Sequence, residues 1–532
     1  MVELTVVING RLRTYWQHVN KLLAFGPMTA LTGVDPSAPV IIGAGQVTHR
    51  DRGEVTSAAT LIALAAGRAL DDTGAAATVR DRLASIGVTH CLSGAGPDPA
   101  GTLAAGLGVT AVRTVATRPG GTGPLDLLRH ACAAVAAGES GVLLLAGGEA
   151  IRALSQGYTD GADGAGVGPP DEVLGSDRGP SHPAEERAGM FQPLNFYPLF
   201  ENAVRGAGGR PGLHAPGLPA VPVAEHQKWL GDLWARFAQV AATNPYAWLN
   251  GAPPDAAHIA APGGRNRMVA HPYTKLLTAN ITVDQAAAVV VCSAATAAAL
   301  GVPRDRWVFV AAGASAHDHW YVAEREHLHR SPAIAATGRA VLSHTGLGTD
   351  DIAHLDIYSC FPSAVQIAAA ELGVDLSLRT PTVTGGLTFA GGPASSYSFH
   401  ALATLTERLR AGGADDAGLL TAVGWFLTKH AAAVLTAAPP ARPYRHADVQ
   451  AEVDGLPRRR VAQEHRGAAT VESWTATYDR DGSPSVAVAT SLLPDGSRAV
   501  AVSTDPGAVA EVVRADPIGA TLRLDGDGTF TL

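Results

Sequence analysis

A glycine-rich turn followed by a helix and then a strand occurs twice in this chain, once in each half. In the first half, R-P-G-G-T-G-P (118–124) opens an apolar helix that leads to G-V-L-L-L-A-G-G. In the second half, A-G-G-P (390–393) opens a helix that leads to G-L-L-T-A-V-G. Because self-similarity of this kind is the signature of a duplicated architecture, we predict two similar α/β halves.

Each turn also has a chemical implication. A glycine-rich turn at the start of a helix exposes backbone N–H groups at the positive end of the helix dipole, where an oxyanion or a phosphate is stabilised. For either turn alone, close packing of a helix on a strand is an equally good explanation. The repetition favours one pocket shared by the two halves.

Composition limits the class of protein. The chain has 532 residues, of which 46% are hydrophobic and 17% charged, so two or three globular domains are expected. A net charge of -8 argues against a nucleic-acid or acidic-membrane partner for the whole molecule. The cysteines lack metal-ligand spacing, and we expect a reduced, cytoplasmic protein. They are Cys91, Cys132, Cys292 and Cys360.

Two further features concern single segments. The apolar run Ala286–Val302 is too short for a membrane span and predicts a buried strand that turns into a short helix. Lysine is rare in this arginine-rich chain, which makes Lys429, next to His430, mildly interesting.

Changes in pattern divide the chain into five parts. We expect residues 1–38 to be a disordered leader or a start assigned too early. Alternating strands and helices over 39–150 and 281–437 predict the two α/β halves. The Gly/Pro/Asp-rich stretch 151–280 predicts a largely irregular insertion that selects the substrate. Residues 440–532, with β-branched segments separated by D-G turns, predict a small all-β, OB-like domain.

The most promising strand end lies in the second half. H-L-D-I-Y-S-C-F predicts a strand whose carboxyl end carries Tyr358, Ser359 and Cys360. Because ligands of open α/β sheets bind at the carboxyl ends of strands, these three residues are the first site candidates. Cys360 is also explained as a buried packing thiol.

Four segments together resemble the thiolase superfamily, and in particular the actinobacterial thiolase-like proteins with an additional C-terminal β domain. They are I-I-G-A-G-Q, L-L-L-A-G-G-E-A, D-I-A-H-L-D-I-Y-S-C-F and G-G-L-T-F-A-G-G-P. The resemblance implies a five-layered α/β/α/β/α sandwich made of two duplicated halves. It further implies acyl transfer on acyl-CoA thioesters, of the acetyl-CoA acetyltransferase kind, no tightly bound cofactor, a role in lipid metabolism and a homodimer.

The same resemblance shows which catalytic groups have been replaced. The family's nucleophilic cysteine corresponds to Gly120, and the histidine of its G-H-P turn corresponds to Gly392. No cysteine stands within 421–424, where the family has its acid/base cysteine. Tyr358 occupies the position of the family's asparagine or histidine. Classical thiolysis is therefore doubtful, although the backbone N–H groups of Gly120 and Gly392 remain candidate oxyanion donors.

Three hypotheses remain: an acyltransferase on acyl-CoA, a carbon–carbon lyase or hydrolase on a CoA thioester with Tyr/His acid–base catalysis, and a non-catalytic ligand-binding or scaffold homologue. The substrate is expected to be a small acyl-CoA or lipid-derived molecule. Catalytic candidates are Tyr358, Cys360, His430 and His400. Substrate-binding candidates are Gly120, Gly121, Ser359, Gly391, Gly392 and Pro393. The H-D-H-W segment lacks a third metal ligand, so no metal site is expected, and neither a membrane nor a nucleic-acid partner is.

Overall fold

The computed structural model describes residues 31–51, 54–139, 141–158, 168–208 and 220–532. Residues 1–30 of the expected leader lie outside this part of the chain. In chain order the strands are β1 (Pro39–Thr48), β2 (Leu83–Val88), β3 (Arg113–Thr117), β4 (Val142–Ala150), β5 (Glu172–Leu174), β6 (Met268–Ala270), β7 (Tyr273–Thr274), β8 (Asp284–Ser293), β9 (Val308–His317), β10 (His354–Asp356), β11 (Ala417–Gly424), β12 (Lys429–Thr436), β13 (Arg445–Asp448), β14 (Arg466–Tyr478), β15 (Pro484–Leu492), β16 (Arg498–Ser503), β17 (Thr521–Asp525) and β18 (Phe530–Thr531).

The helices of the described residues are numbered in the same way. They are α1 (Ala58–Asp72), α2 (Ala76–Arg80), α3 (Pro99–Leu107), α4 (Gly123–Ala136), α5 (Ile151–Ser155), α6 (Pro183–Arg187), α7 (Pro193–Gly206), α8 (Val223–Thr243), α9 (Ala256–Ala260), α10 (Ala294–Ala299), α11 (Pro332–Thr345), α12 (Pro362–Leu372), α13 (Gly386–Phe389), α14 (Tyr397–Ala411), α15 (Gln450–Asp454) and α16 (Pro506–Ala515).

The two halves repeat one strand order. The first runs β3-β2-β4-β8-β1 and the second runs β10-β11-β12-β9, so that in each half the first strand lies beside the last. The predicted boundary at residue 281 needs correction, because β8 pairs with β1 and β4 of the first half and the second half begins with β9. β1 and β9 pair at Val40–Phe309 and Ile41–Val308, which joins the halves into one eleven-stranded sheet that also includes β5 and β13. The repeated order confirms the duplication that the glycine-rich turns indicate.

The helices form three layers around these strands. The central helix α4 contacts β4 and β8 of the first half and β12 of the second, and α14 contacts β1, β8 and β11. α1 covers the outer face of the first half, and α11 covers that of the second. α14 is buried around most of its circumference because it lies between the strands of the two halves of this sheet. The α/β/α/β/α order is the one predicted.

The apolar run in the middle of the chain has the predicted structure. β8 is buried at all ten positions and pairs with β1 and β4 on its two sides. Ser293 ends the strand and caps α10, since its Oγ accepts a hydrogen bond from the Thr296 N–H at 3.0 Å. Among the described residues, no helix combines the length and the apolar character needed to cross a membrane.

The expectation of a largely irregular insertion over 151–280 needs correction. α7 and α8, of 14 and 21 residues, lie in this stretch and contribute large buried side chains to the core. Pro193 and Pro198 concealed α7, since proline normally marks a turn or a helix end in sequence. The largest of these core side chains are those of Trp234, Tyr197, Phe196, Phe200 and Phe237.

The C-terminal antiparallel sheet is present as predicted. Its strand order is β16-β15-β14-β17-β18, and a bridge between Val502 and Thr529 brings the two edges together. The result is a closed five-stranded arrangement of OB type. Two details differ from the prediction: α16 lies between β16 and β17, and β13, within the predicted 440–532 segment, pairs with β9 of the core.

Buried polar contacts attach this domain to α7 and β6. Arg205 is 1% exposed, and its guanidinium forms a two-point ion pair with Asp516. The Asn202 amide donates to the Trp474 carbonyl at 2.7 Å, and Ala270 of β6 pairs with Thr477 of β14. Arg205 therefore connects the core to the C-terminal domain.

Replacing Arg205 with alanine tests this connection. Removal of Arg205 takes the ion-pair partner from Asp516, which is 29% exposed and keeps its hydrogen bond from the Trp474 indole, and we expect the free energy of unfolding to fall by about 2 kcal/mol. The matched control is Arg523→Ala, because Arg523 is 68% exposed and its nearest carboxylate is 3.9 Å away. Chemical denaturation measures both variants, and equal stability of the two would contradict the role given to Arg205.

Candidate active site

The turn before α4 has two glycines whose missing side chains leave room for other groups. Gly120 has a φ of +142°, a backbone conformation that favours glycine. A Cβ atom at Gly120 would lie 2.8 Å from Lys429 Nζ, and one at Gly121 would lie 2.5 Å from Tyr358 Oη. An amine and a phenol thus lie over two adjacent glycines.

Tyr358 lies just beyond the end of β10, as the sequence predicted for a strand-end residue. Its ring packs edge-to-face on Tyr397, with centroids 5.5 Å apart, and its backbone N–H donates to Thr421 Oγ1 at 3.0 Å. Within the described residues, its hydroxyl has no hydrogen-bond partner. Burial raises the pKa of the phenol above its usual value, so the group is a neutral proton donor at neutral pH.

A buried polar network supports the ring of Tyr397. The Asp356 carboxylate accepts hydrogen bonds from the Tyr397 hydroxyl at 3.1 Å and from Thr382 Oγ1 at 2.9 Å. Burial raises the pKa of Asp356 to about 6, although these hydrogen bonds act in the opposite direction. The network fixes the aromatic surface against which Tyr358 packs.

Lys429 is the first residue of β12 and reaches back towards the first turn. Its Nζ donates to the Pro119 carbonyl at 3.2 Å and lies 5.6 Å from the centre of the Trp425 ring. Burial lowers the pKa of the amine, and the charge of Asp126 partly opposes this. Sequence reasoning did not select this residue as a site candidate, and its only signal was the rarity of lysine in the chain.

The loop that carries Lys429 has an unusual backbone. Trp425 and Leu427 have φ values of +56° and +52°, a region that residues other than glycine seldom occupy. The Tyr197 hydroxyl donates to the Trp425 carbonyl at 3.1 Å and accepts from the Leu427 N–H at 3.1 Å. Strained residues of this kind concentrate at functional sites, where the surrounding structure holds them.

The two glycine-rich turns meet, as the duplication predicted. The Gly120 N–H donates to Ser395 Oγ at 3.2 Å, which links the first turn to the second. The Gly392 N–H donates to the Asn280 carbonyl at 2.9 Å, and the Pro393 carbonyl accepts from Ser396 Oγ. Both N–H groups expected to serve as oxyanion donors are therefore already engaged within the chain, and that expectation is corrected.

Comparisons with known proteins agree with this architecture. Residues 448–529 match the family model of the thiolase-like protein type 1 additional C-terminal domain. A monomeric SCP2-thiolase like protein type 1 from Mycobacterium smegmatis shares 28% identity at a TM-score of 0.79, over 94% of this chain and 100% of its own. This chain is a thiolase-superfamily protein with an additional C-terminal domain.

Two more distant structures share the fold with this thiolase-superfamily protein. The Ltp2-ChsH2(DUF35) aldolase has 18% identity and a TM-score of 0.57, over 76% of this chain and 100% of its own. The dimeric peroxisomal thiolase of Saccharomyces cerevisiae has 14% identity and a TM-score of 0.53, over 77% and 99%. A search of curated proteins finds no match. The expected homodimer stays a prediction, since the Mycobacterium smegmatis protein is monomeric.

Both candidate histidines of the thiolase-superfamily protein lie away from the amine and the phenol. His430 follows Lys429 in β12 and projects from the opposite face, because alternate residues of a strand point to opposite sides. Its Nε2 is 3.1 Å from Asp318 Oδ2 and contacts Ser331 at the start of α11. Burial acts to raise the pKa of Asp318, but the hydrogen bonds from His430 and Ser331 and the charges of His430 and Arg325 together outweigh it, so the pKa is lowered.

His400 is held within the central layer. Its Nδ1 is 3.0 Å from Gln46 Oε1 of β1, and burial lowers the pKa of the imidazole to about 3. Among the described residues, His400 makes no hydrogen bond to the first turn. The structure therefore brings neither His400 nor His430 to the site. Lys429, the residue before His430, lies at the first turn instead.

Cys360, Ser359 and Gly391 contribute to packing. Burial raises the pKa of the Cys360 thiol to about 12, so it is not an activated nucleophile. Ser359 Oγ accepts a hydrogen bond from the Leu387 N–H at 3.3 Å. Gly391, with a φ of +106°, lies against the Gln285 side chain, which a Cβ atom would displace.

The two histidines of the H-D-H-W segment, for which no metal site is expected, have carbonyl partners. His317 Nδ1 lies 2.7 Å from the Asp318 carbonyl, and His319 Nε2 lies 3.0 Å from the Pro457 carbonyl. No group of three potential metal ligands occurs in the part of the chain that the structure describes.

Asp356 should make stability depend on pH in a defined direction. Because its pKa is raised on folding to about 6, it contributes stability at low pH that is lost as the pH rises through that value. The wild-type protein should lose roughly 3 kcal/mol of unfolding free energy from this group between about pH 4 and about pH 7. Denaturation of Asp356→Asn across this range should lack that loss.

Asp318→Asn is the control, because Asp318 changes the stability of the protein with pH in the opposite direction to Asp356. The pKa of Asp318 is lowered on folding, so this carboxyl contributes stability that is lost as the pH falls. Parallel pH curves for Asp356→Asn and the wild type would contradict the assignment.

Proposed function

We propose that this thiolase-superfamily protein is a carbon–carbon lyase that acts on a CoA-type acyl thioester and uses Tyr358 as its acid–base group. The observation that carries the proposal is the Tyr358 hydroxyl, which lies over Gly121 with no hydrogen-bond partner among the described residues. A group that transfers a proton to the substrate must be able to form a hydrogen bond with the reacting oxygen, and a hydroxyl without a partner in the protein can do so.

The alternative of covalent acyl transfer lacks a nucleophile in this geometry. Glycine stands at the position that the resemblance assigns to the nucleophilic cysteine, and the Cys360 thiol is kept protonated by burial. A buried thiol in an apolar setting is inert towards a thioester. A lyase needs no covalent intermediate of this kind, so the replacements count against acyl transfer and leave the lyase chemistry open.

The fold comparison adds support of a general kind. The Ltp2-ChsH2(DUF35) aldolase shares the fold of this chain, which supports carbon–carbon lyase chemistry as a use of the scaffold. In the bond-forming direction, the neutral hydroxyl of Tyr358 donates its proton to the oxygen of the carbonyl that is attacked. In the cleavage direction, the ionised oxygen takes the same proton back from the substrate hydroxyl.

Replacement of Tyr358 by phenylalanine should abolish this chemistry with little effect on folding. Loss of a general acid–base group costs about 100-fold or more in rate, and we expect that loss in the cleavage of a β-hydroxyacyl-CoA, followed by mass spectrometry of the CoA products. Cys360→Ala and Tyr478→Phe, the latter in the C-terminal domain, should retain activity. Retained activity in Tyr358→Phe would exclude the proposal, and thioester binding without turnover by the wild type would indicate a non-catalytic binding protein.

Cleavage by the wild-type protein should accelerate as the pH rises. The cleavage direction requires the ionised phenol, and burial raises the pKa of Tyr358, so the active form increases with pH across the whole neutral and mildly alkaline range. A pH–rate profile of cleavage measures this. A rate that levels off near neutral pH would assign the base to another group.

A further inference from the structure

Lys429 brings a positive charge to the site, and the nearby charge of Asp126 compensates only part of it. The side chain is partly buried, and among the described residues no carboxylate forms an ion pair with it. Its contacts are the Pro119 carbonyl and the face of the Trp425 ring, both of which attract cations. Because an ammonium group has three N–H donors, this environment leaves donors for an anionic or strongly polarised ligand.

The usual backbone donors of such a site are not free. The N–H groups of Gly120 and Gly392 donate to Ser395 and Asn280, respectively. An enolate formed from a thioester needs a positive charge or hydrogen-bond donors at its oxygen. Lys429 Nζ lies next to Gly120, and the Tyr358 hydroxyl lies next to Gly121, so the two polar groups lie over adjacent residues.

The position of Lys429 is fixed by its loop. Tyr197 binds the backbone at both Trp425 and Leu427, the two residues with positive φ that precede the lysine. A Cβ atom at Gly424 would lie 2.6 Å from the Lys429 side chain and would displace its end from the observed position. Prepositioned charge of this kind stabilises developing negative charge without further reorganisation.

We propose that the Lys429 ammonium binds the carbonyl oxygen of the substrate thioester and stabilises the enolate formed when the carbon–carbon bond is made or broken. The thioester class rests on the proposed function. In the bond-forming direction, the enolate carbon joins the carbonyl carbon of the second molecule, whose oxygen takes the Tyr358 proton while the thioester carbonyl re-forms. Cleavage reverses these transfers: the ionised Tyr358 oxygen takes the proton of the substrate hydroxyl, the carbon–carbon bond breaks to give the carbonyl product and the enolate, and Tyr358 then returns the proton to the enolate carbon. In the bond-forming direction the ionised Tyr358 oxygen first takes this α-proton from the thioester, so the proton count balances and no co-reactant is needed.

The test is the ultraviolet spectrum of acetoacetyl-CoA bound to the full-length protein. Acetoacetyl-CoA has an absorbing enolate form, and the ammonium should increase its fraction on the protein without any turnover. Lys429→Met should lower the enolate-to-keto ratio by on the order of 100-fold, the effect of losing one oxyanion donor. Lys429→Arg should retain part of the enolate signal because it keeps the charge.

Lys228→Met is the matched control. Lys228 is 79% exposed in α8 and forms its ion pair with Asp232, so its removal should leave the spectrum unchanged. Comparison with Lys429→Met then separates a local charge effect from a change in overall charge. A folded Lys429→Met protein that binds acetoacetyl-CoA with the wild-type enolate fraction would overturn the inference.

Further outcomes separate this inference from the proposed function. An enolate signal that depends on Lys429, without cleavage of β-hydroxyacyl-CoA, would support the inference and count against the lyase. Cleavage that depends on Tyr358 but not on Lys429 would support the lyase and contradict the inference about Lys429. A cyanoborohydride-trapped adduct on Lys429 would also overturn the inference, because it would show a covalent imine in place of a charge contact.

Discussion

The absence of side chains at Gly120 and Gly121 is the constraint on which the rest of the site depends. These glycines allow Lys429 and Tyr358 to approach the start of the central helix α4, where any Cβ atom would displace one of them. The resemblance to the superfamily assigns the nucleophile to this turn, and in this chain the amine and the phenol lie over it.

The scaffold holds these groups through contacts between the halves and the added domain. Gly120 of the first half is bound to Ser395 of the second, which fixes the relative position of the two turns. Tyr197 of α7 holds the strained loop before Lys429, and α7 in turn binds the C-terminal domain through Arg205 and Asp516. The C-terminal domain therefore supports the helix that positions the site, although none of the site residues belongs to it.

Arginine makes several of these connections because its planar group satisfies more than one acceptor. Arg498 of β16 is fully buried, pairs with Glu472 at 2.7 Å and donates to the Ala323 carbonyl of the core at 2.9 Å. With Arg205, it fixes the OB-type domain to the thiolase-like core from two sides. A buried guanidinium is stable only when its donors are matched in this way.

From local patterns of glycine and apolar residues, the sequence by itself determined the duplication, the strand-to-helix change after Ala286 and the place of Tyr358 at a strand end. The layer order was implied by the resemblance to the thiolase superfamily. Only the tertiary structure decided that Lys429, and not His430, faces the site, because this depends on the register of β12 between β11 and β9. It likewise decided that the N–H groups of Gly120 and Gly392 are occupied, since their partners lie far away in sequence.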